Sequence, residues 1–571
     1  MTNTHAKAKR PSLVHGAPLS EEPGLGALTL PGYLREIASR FAQREALMMR
    51  TAGGVERWTY SDLWERSMEL ARALVAIGLG KDGRVGILMT NRPELLSSVF
   101  GTSLAGGVAV MLNTFSTAVE LEYMLQASSV SVLLFEGKVL KKDFAAMLGQ
   151  LEHRIADGEP GQLKSTRFPF LRHLAVVGAT PAGGAVESWA NFLARGAVTP
   201  PALVAAIADS VRPTDTAALF FSSGSTARPK GICSAHRGIA IQLWRMGRLF
   251  NLSGDVRSWT PNGLFWSGNF ATVMGTTLSC GGALVLQSTF IAHEALELMA
   301  AERVNFPMLW PHQAKQLEEA SNWNDVDLSA MRFVDPASPL ARHPTVTLTS
   351  WEEPRYSYGS TETFTLSTCF PPGTPRSITG DTHGAPLPGN TLKIVDPASG
   401  ETLPRGEHGE IAVKGPTLML GYLGVPVEEA FDEEGFYRTG DGGYIDDSAR
   451  LHFQGRLTAV IKTGGANVSP VEIDAVLESF PGVKAARTVG VPHETLGEMV
   501  VACVVPAEGA TLDGAAIQSF LRERLASYKV PRRVLFLRED DLSLTGSAKI
   551  KPGELRKLAT ELLQTERSEK A

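Results

Sequence analysis

The chain has 571 residues, too many for one hydrophobic core, so two or more domains are expected. Hydrophobic residues make up 43% and charged residues 20%, and the formal net charge of −5 supplies no basic field for nucleic acid or an anionic membrane. Four widely separated cysteines (Cys233, Cys280, Cys369, Cys503) form no CxxC or Cys/His spacing, which argues against a disulfide framework or a zinc site and fits a reducing cytoplasm.

Residues 1–27 carry Lys7, Lys9 and Arg10 with no apolar segment behind them, so they do not form a secretory signal. Their polar, Pro/Gly-punctuated composition reads as a flexible tail. No uninterrupted apolar run reaches the ~18 residues of a membrane helix. From Leu28 the pattern predicts a helix over 60–78, a strand over 84–89, a helix over 94–105 and strands over 108–112 and 130–135. This alternation indicates βαβ units and a largely parallel sheet. Residues 158–201, rich in Gly, Pro and Ala, read as an irregular surface segment.

A second α/β stretch follows over 216–367, with helices at 238–250 and 293–302 and strands at 283–287 and 331–335. From 391 the texture changes to short strands with tight turns, at 392–395, 409–414 and 443–445. After them come a helix at 470–479, strands at 485–491 and 499–505, a helix at 514–526 and a strand at 533–537. The expected fold class is α/β. A large N-terminal domain (28–455) contains two doubly wound α/β subdomains and a β-rich subdomain. A small α+β C-terminal domain (456–571) follows, large enough to fold alone.

The strand at 217–221 runs directly into Ser222-Ser223-Gly224-Ser225-Thr226-Ala227-Arg228-Pro229-Lys230-Gly231. Small residues let backbone N–H groups approach a polyphosphate, the hydroxyls add donors and Lys230 adds a positive charge. Ser/Gly/Thr clusters are ordinarily only turns. The Walker loop is excluded, because Lys230 follows Pro229 and precedes Gly231. The stretch instead resembles the phosphate loop of the adenylate-forming superfamily, which includes acyl-CoA synthetases, luciferases and peptide-synthetase adenylation domains. Ala227 stands where that family usually has Gly.

The resemblance extends from about Leu28 to Lys557, with further motifs in family order. Tyr356-Ser357-Tyr358-Gly359-Ser360-Thr361-Glu362 resembles the aromatic-Gly-x-Thr-Glu signature. It implies that Tyr358 stacks on adenine, Thr361 touches the α-phosphate and Glu362 binds Mg²⁺, a hard cation suited to oxygen ligands. Tyr437-Arg438-Thr439-Gly440-Asp441 resembles the segment whose Asp accepts both ribose hydroxyls, and Gly455-Arg456 the start of the inter-domain hinge, where Arg456 approaches the ribose. The hinge pivot falls on Thr458, where the family carries Asp or Lys. Lys462-Thr463-Gly464-Gly465 resembles the loop that lines the pantetheine tunnel in CoA-using relatives. Thr545-Gly546-Ser547-Ala548-Lys549-Ile550 resembles the C-terminal loop whose lysine bridges the carboxylate and the α-phosphate, with Ala548 in place of Gly.

The resemblance therefore implies a two-step acyl-CoA synthetase using ATP, Mg²⁺ and CoA, with Lys549, Thr361 and Lys230 as catalytic residues and a small domain that swings between steps. The residues expected on the nucleotide are Ser222, Ser223, Gly224, Ser225, Thr226, Lys230, Tyr358, Gly359, Ser360, Thr361, Asp441 and Arg456. Pro261–Gly268 resembles the family's acyl-pocket segment. Trp266 stands where amino-acid adenylation domains place an Asp for the substrate ammonium, which Trp cannot bind. Trp266, Phe265, Phe270, Tyr356 and Ala337 are the expected acyl pocket, apolar and suited to a fatty, cyclic, steroid-side-chain or aryl acid. Ala337 belongs to Asp335-Pro336-Ala337-Ser338-Pro339, which departs from the family's Gly-Gly-Ala-Pro-like pocket strand. Acetate is disfavoured, since acetate specialists carry Trp before the Thr-Glu element. Transfer to a carrier protein, a luciferase-like oxygenase and a non-catalytic ATP/AMP-binding protein are the competing readings. The expected partners are a small carboxylic acid, ATP and CoA, with no nucleic acid; a homodimer is left open, and the expected location is cytoplasmic.

Overall fold

The computed structural model describes residues 10–568 except 180, 182, 223–228, 253, 355, 381, 458, 459, 508 and 539–551. The chain is α/β, with a large N-terminal and a small C-terminal domain. One eight-stranded sheet runs in the order Val186–Ser188, His173–Val177, Val132–Glu136, Arg84–Leu88, Val108–Met111, Thr216–Ser222, Lys230–Ala235, Gly421–Tyr422. Its first six strands are parallel, Lys230–Ala235 runs antiparallel to them, and Gly421–Tyr422 pairs antiparallel with Lys230–Ala235. A second sheet orders Phe306–Pro307, Arg257–Trp259, Ala283–Leu286, Glu45–Thr51 and Gly54–Thr59, parallel in its first four strands.

Strand alternation explains how the first sheet is buried on both faces. Val85, Ile87, Val132 and Leu134 point into one apolar cluster, which also takes Leu47 and Met49 of the second sheet. Leu88, Leu133 and Phe135 point into another on the opposite face. The helices Tyr60–Ala76 and Pro93–Leu104 fill the first cluster. Thr59 starts the former with a capping box: its hydroxyl accepts the Asp62 N–H at 3.1 Å, and the Asp62 carboxylate accepts the Thr59 N–H at 2.8 Å.

Three sequence-based expectations are corrected. Residues 158–201 are not irregular: Val186–Ser188 is the edge strand of the large sheet and His173–Val177 the strand beside it. Residues 331–335 form no strand, although Met331 and Val334 are buried. The described part of the expected tail, from Arg10, is built into the fold. Leu13–His15 pairs antiparallel with Thr391–Val395 at the edge of a five-stranded antiparallel sheet completed by Gly409–Lys414, Tyr437–Ile445 and Leu451–Arg456. Just beyond it, Glu22 accepts Arg245 Nε at 2.8 Å, and both side chains are buried. A buried guanidinium requires such a partner, so this segment is anchored by charge as well as by strand pairing.

In the small domain, Ala466–Val468, Ile461–Thr463, Gly497–Pro506 and Val483–His493 form an antiparallel sheet, and Arg533–Phe536 lies parallel beside Gly497–Pro506. Helices Pro470–Leu477, Gly514–Arg522 and Pro552–Ser568 accompany it. Among the described residues, no single helix is long and apolar enough to cross a membrane.

A buried histidine ties the N-terminal helix Leu30–Phe41 to the helix His236–Leu249. His236 Nδ1 accepts the Leu30 N–H at 3.2 Å, a donor with no partner inside its own helix. Burial depresses the imidazole to about 4, with Asp215 pulling the other way. Because the folded value lies below the unfolded one, this contribution is complete above about pH 6.5 and is lost as pH falls toward 4, at most about 3 kcal/mol. Protonation also converts the acceptor into a donor facing the Leu30 N–H. Denaturant unfolding of His236→Asn against wild type should therefore show a flatter stability profile between pH 6.5 and 4. Parallel profiles would refute the assignment.

Candidate active site

The strands that flank residues 223–229 close on each other: Ser222 pairs with Lys230, and Phe221 with Gly231. Ser223, Gly224, Ser225 and Thr226 lie outside the described residues. Lys230 Nζ stands 4.9 Å from the centre of the Tyr422 ring. The Tyr422 hydroxyl donates to Glu362 Oε1 at 2.9 Å and lies 2.9 Å from the Tyr437 hydroxyl. Since the Tyr422 proton is committed to the carboxylate, Tyr437 is the donor of that second bond. Burial, with Glu362 next, raises both phenols above their ordinary value, so both remain donors. One ring thus presents a cation on its face and a carboxylate at its hydroxyl. Among the described residues no cluster of three or more His, Cys, Asp or Glu side chains could hold a metal alone. A single carboxylate such as Glu362 fits Mg²⁺ that is held chiefly by substrate phosphates and water.

Thr361 and Glu362 occupy the turn of a hairpin between Tyr358–Ser360 and Thr365–Cys369. Gly359 is required there, because a methyl group on it would meet the Thr365 carbonyl oxygen at 1.6 Å. The return is strained, with φ of 44° at Phe364 and 79° at the β-branched Thr365. Thr361 Oγ1 accepts the Ser267 hydroxyl at 3.2 Å, which joins this signature to the 261–268 segment. The Ser360 hydroxyl is buried with no partner among the described residues.

Tyr358 is buried beside Phe453, ring centres 5.5 Å apart, and its hydroxyl donates to Asp441 Oδ2 at 2.7 Å. Arg456 Nε lies 2.8 Å from Asp441 Oδ1 as an ion pair, yet that oxygen accepts no aligned hydrogen bond among the described residues. Arg456 also donates to the Thr439 carbonyl at 2.9 Å. Burial pushes the Asp441 carboxyl above its usual range, opposed by Arg456 and Tyr358.

Among the five expected pocket residues, Phe265 and Trp266 come together at 5.5 Å. Phe115 packs on Phe265 at 6.1 Å, and Tyr528 of the small domain on Trp266 at 6.1 Å. Asn91 fixes the segment that carries them: its amide donates to the Asn262 carbonyl at 2.9 Å, and its oxygen accepts the Leu264 N–H at 2.8 Å. Phe270, in contrast, is fully buried between Phe220 and Phe364. Tyr356 is 38% exposed, with φ of 56°, and faces His383. Ala337 is exposed on a turn in which Asp335 accepts its N–H at 2.8 Å, not on a strand.

Gly464 and Gly465 have φ of 54° and 81° and lie against the large domain. A methyl group on Gly465 would meet Trp310 Cε2 at 2.2 Å, and one on Gly464 would meet His312 Cε1 at 3.2 Å. Lys462, on the strand that leads into Gly464, holds its ammonium 4.8 Å over the Phe453 ring. Burial lowers its basicity, while Asp441 pulls the other way. Thr458 and Lys549 lie outside the described residues.

The family model for AMP-binding enzymes matches residues 34–423, and that for the AMP-binding enzyme C-terminal domain matches 472–549. The chain belongs to the AMP-binding enzyme family. It is an adenylate-forming acid–thiol ligase, a class that uses ATP, Mg²⁺ and CoA. A feruloyl-CoA synthase of an Amycolatopsis species is 31% identical over 87% of this chain and 93% of its own length. The mitochondrial medium-chain acyl-CoA ligase ACSF2 of Danio rerio is 28% identical over 95% of this chain and 90% of its own. The amide bond synthetase McbA from Marinactinospora thermotolerans superposes with a TM-score of 0.71 at 26% identity, covering 92% of this chain and 99% of that one.

Several residues of this AMP-binding enzyme's candidate site carry no motif. Tyr422, Asn91, Phe453, Trp310 and His312 lie in segments with no distinctive local pattern. Only Tyr437, the first residue of the quoted Tyr-Arg-Thr-Gly-Asp run, carried a sequence signal.

Proposed function

We propose that this AMP-binding enzyme activates a hydrophobic carboxylic acid, aryl, cyclic or medium- to long-chain, as an acyl adenylate and passes the acyl group to CoA. The observation that carries this reading is the aromatic wall of Phe265, Trp266, Phe115 and Tyr528 beside the Ser267–Thr361 contact. Aromatic faces reward apolar acids and offer no carboxylate to an ammonium group. The feruloyl and medium-chain relatives support the same class of acid.

In the first step the acid's carboxylate attacks the α-phosphorus of ATP, and pyrophosphate leaves. Two anions meet, so the site must neutralise charge rather than supply a base. Lys230 and residues 222–226 are proposed to hold the leaving phosphates, Glu362 the accompanying Mg²⁺, and Thr361 and Lys549 the α-phosphate. Asp441 Oδ1, with no aligned donor among the described residues, is proposed to accept from a ribose hydroxyl, with Arg456 beside it. In the second step the CoA sulfur attacks the anhydride carbonyl, the thiol proton is lost and AMP departs. Gly464 and Gly465 are proposed to line the thiol's path beside Trp310. The small domain, taken as residues 456–571, is proposed to turn near Thr458 between the steps.

Acid-dependent ATP–pyrophosphate exchange, run with cinnamate, ferulate, octanoate, acetate and an amino acid, tests the substrate class. Exchange confined to acetate or the amino acid would sink it. Offering CoA, a holo-carrier protein and a simple amine to the preformed adenylate then tests the acceptor, and turnover on the carrier alone would replace CoA by the carrier.

A further inference from the structure

A lysine remote from the phosphate loop is held between the two domains. Lys529, 2% exposed, donates to Glu472 Oε1 at 2.7 Å and to Glu120 Oε1 at 2.7 Å. Glu472 lies on the small-domain helix Pro470–Leu477, whereas Glu120 lies on the large-domain helix Ala118–Ser128. Glu120 Oε1 also receives the Ala526 N–H at 3.3 Å, and the Thr117 hydroxyl reaches the Arg524 carbonyl at 3.3 Å. Next to Lys529, Tyr528 packs on Trp266 and, at 6.4 Å, on Phe115. The segment 524–529 is therefore docked on the rim of the aromatic wall, while Gly465 sits against Trp310.

Fully buried lysines and glutamates persist only when paired. The division of this triad between domains is unequal. If the small domain turns, Glu472 travels with Lys529, so the ammonium keeps one carboxylate. Glu120 stays behind as the third residue of its helix, where its other oxygen still accepts the Thr117 N–H at 2.8 Å. A capping glutamate is at home there in water. Undocking thus breaks one ion pair and the Ala526 and Thr117 hydrogen bonds without stranding a buried ion, which is what a reversible contact needs.

We propose that Lys529 is a positioning residue for thioester formation: held by Glu120, it latches the small domain in the orientation that sets Gly465 at Trp310 and seats Tyr528 on Trp266. The latch rests on the two-step reading above. It acts on the second half-reaction and leaves the first untouched.

The test variant is Glu120→Gln, which keeps the helix cap but removes the charge facing Lys529. Acid-dependent ATP–pyrophosphate exchange should stay within about twofold of wild type. Formation of CoA thioester from supplied cinnamoyl- or octanoyl-AMP should fall about tenfold or more, the scale of a weakened buried pair. Spin labels placed one on each domain should show a single inter-domain distance population in the wild type and a broadened one in Glu120→Gln. Equal loss of both half-reactions, unchanged thioester formation or an unchanged distance distribution would each overturn the latch. A wild type inactive in both half-reactions would instead overturn the two-step reading, and the distance measurement would still decide the latch.

Discussion

Replacing Glu362 with Gln is expected to lower acid-dependent ATP–pyrophosphate exchange by about two to three orders of magnitude. The substitution preserves volume and leaves an oxygen to accept the Tyr422 hydroxyl, now 2.9 Å from Oε1. Stability should therefore change by no more than ~1 kcal/mol. What is lost is the negative charge proposed to help hold Mg²⁺ near the phosphates, and the described residues offer no cluster of other ligands to replace it. The variant should accordingly need much more Mg²⁺ for half-maximal exchange. Tyr422→Phe provides a graded control. It keeps the ring that Lys230 faces at 4.9 Å but removes the bond that aims Glu362, and about a tenfold loss is expected. A Glu362→Gln enzyme with wild-type Mg²⁺ dependence would remove Glu362 from the metal site.

The parts of this site legible in the sequence are those whose chemistry is local. The Ser/Gly/Thr run between apolar strands announces a loop, and Ser222 and Lys230 pair as a hairpin's flanks must. Strongly periodic helices such as Tyr60–Ala76 are legible for the same reason, since one face repeats every 3.6 residues. Long-range partnerships leave no local trace. Glu120 and Lys529 are 409 residues apart, and each read alone is a surface charge. Leu13–His15 spans three residues, too few for a period-two pattern to declare itself, and only pairing with Thr391–Val395 makes it a strand. Residues 331–335 fail in the opposite sense: Met331 and Val334 are buried as the apolar pattern implies, but burial there comes from packing and not from a ladder. Phe270 shows the same ambiguity at the site, where hydrophobicity predicts an interior position without telling core from pocket.

Lys549→Ala is expected to abolish adenylate formation, with exchange falling at least about a hundredfold, while thioester formation from supplied acyl-AMP stays within about twofold. The asymmetry follows from charge. The first step brings a carboxylate onto the α-phosphorus of a polyphosphate, and a lysine bridging the two anions stabilises the charge that accumulates there. The second step joins a thiol to an uncharged anhydride carbonyl and needs a path for the thiol more than a bridging cation. In the orientation described, Gly465 packs on Trp310 and Gly464 on His312, the wall proposed for that path, with the small domain tied to the large one through Lys529 and Glu120. Lys549→Ala and Glu120→Gln should therefore fail in opposite halves of the reaction, the first in exchange and the second in thioester formation. Supplying acyl-AMP to Lys549→Ala, and following exchange without CoA in Glu120→Gln, separates the two losses in one set of assays. A folded Lys549→Ala enzyme that loses both halves equally would refute the division of labour proposed between Lys549 and Gly464–Gly465, whatever Glu120→Gln does.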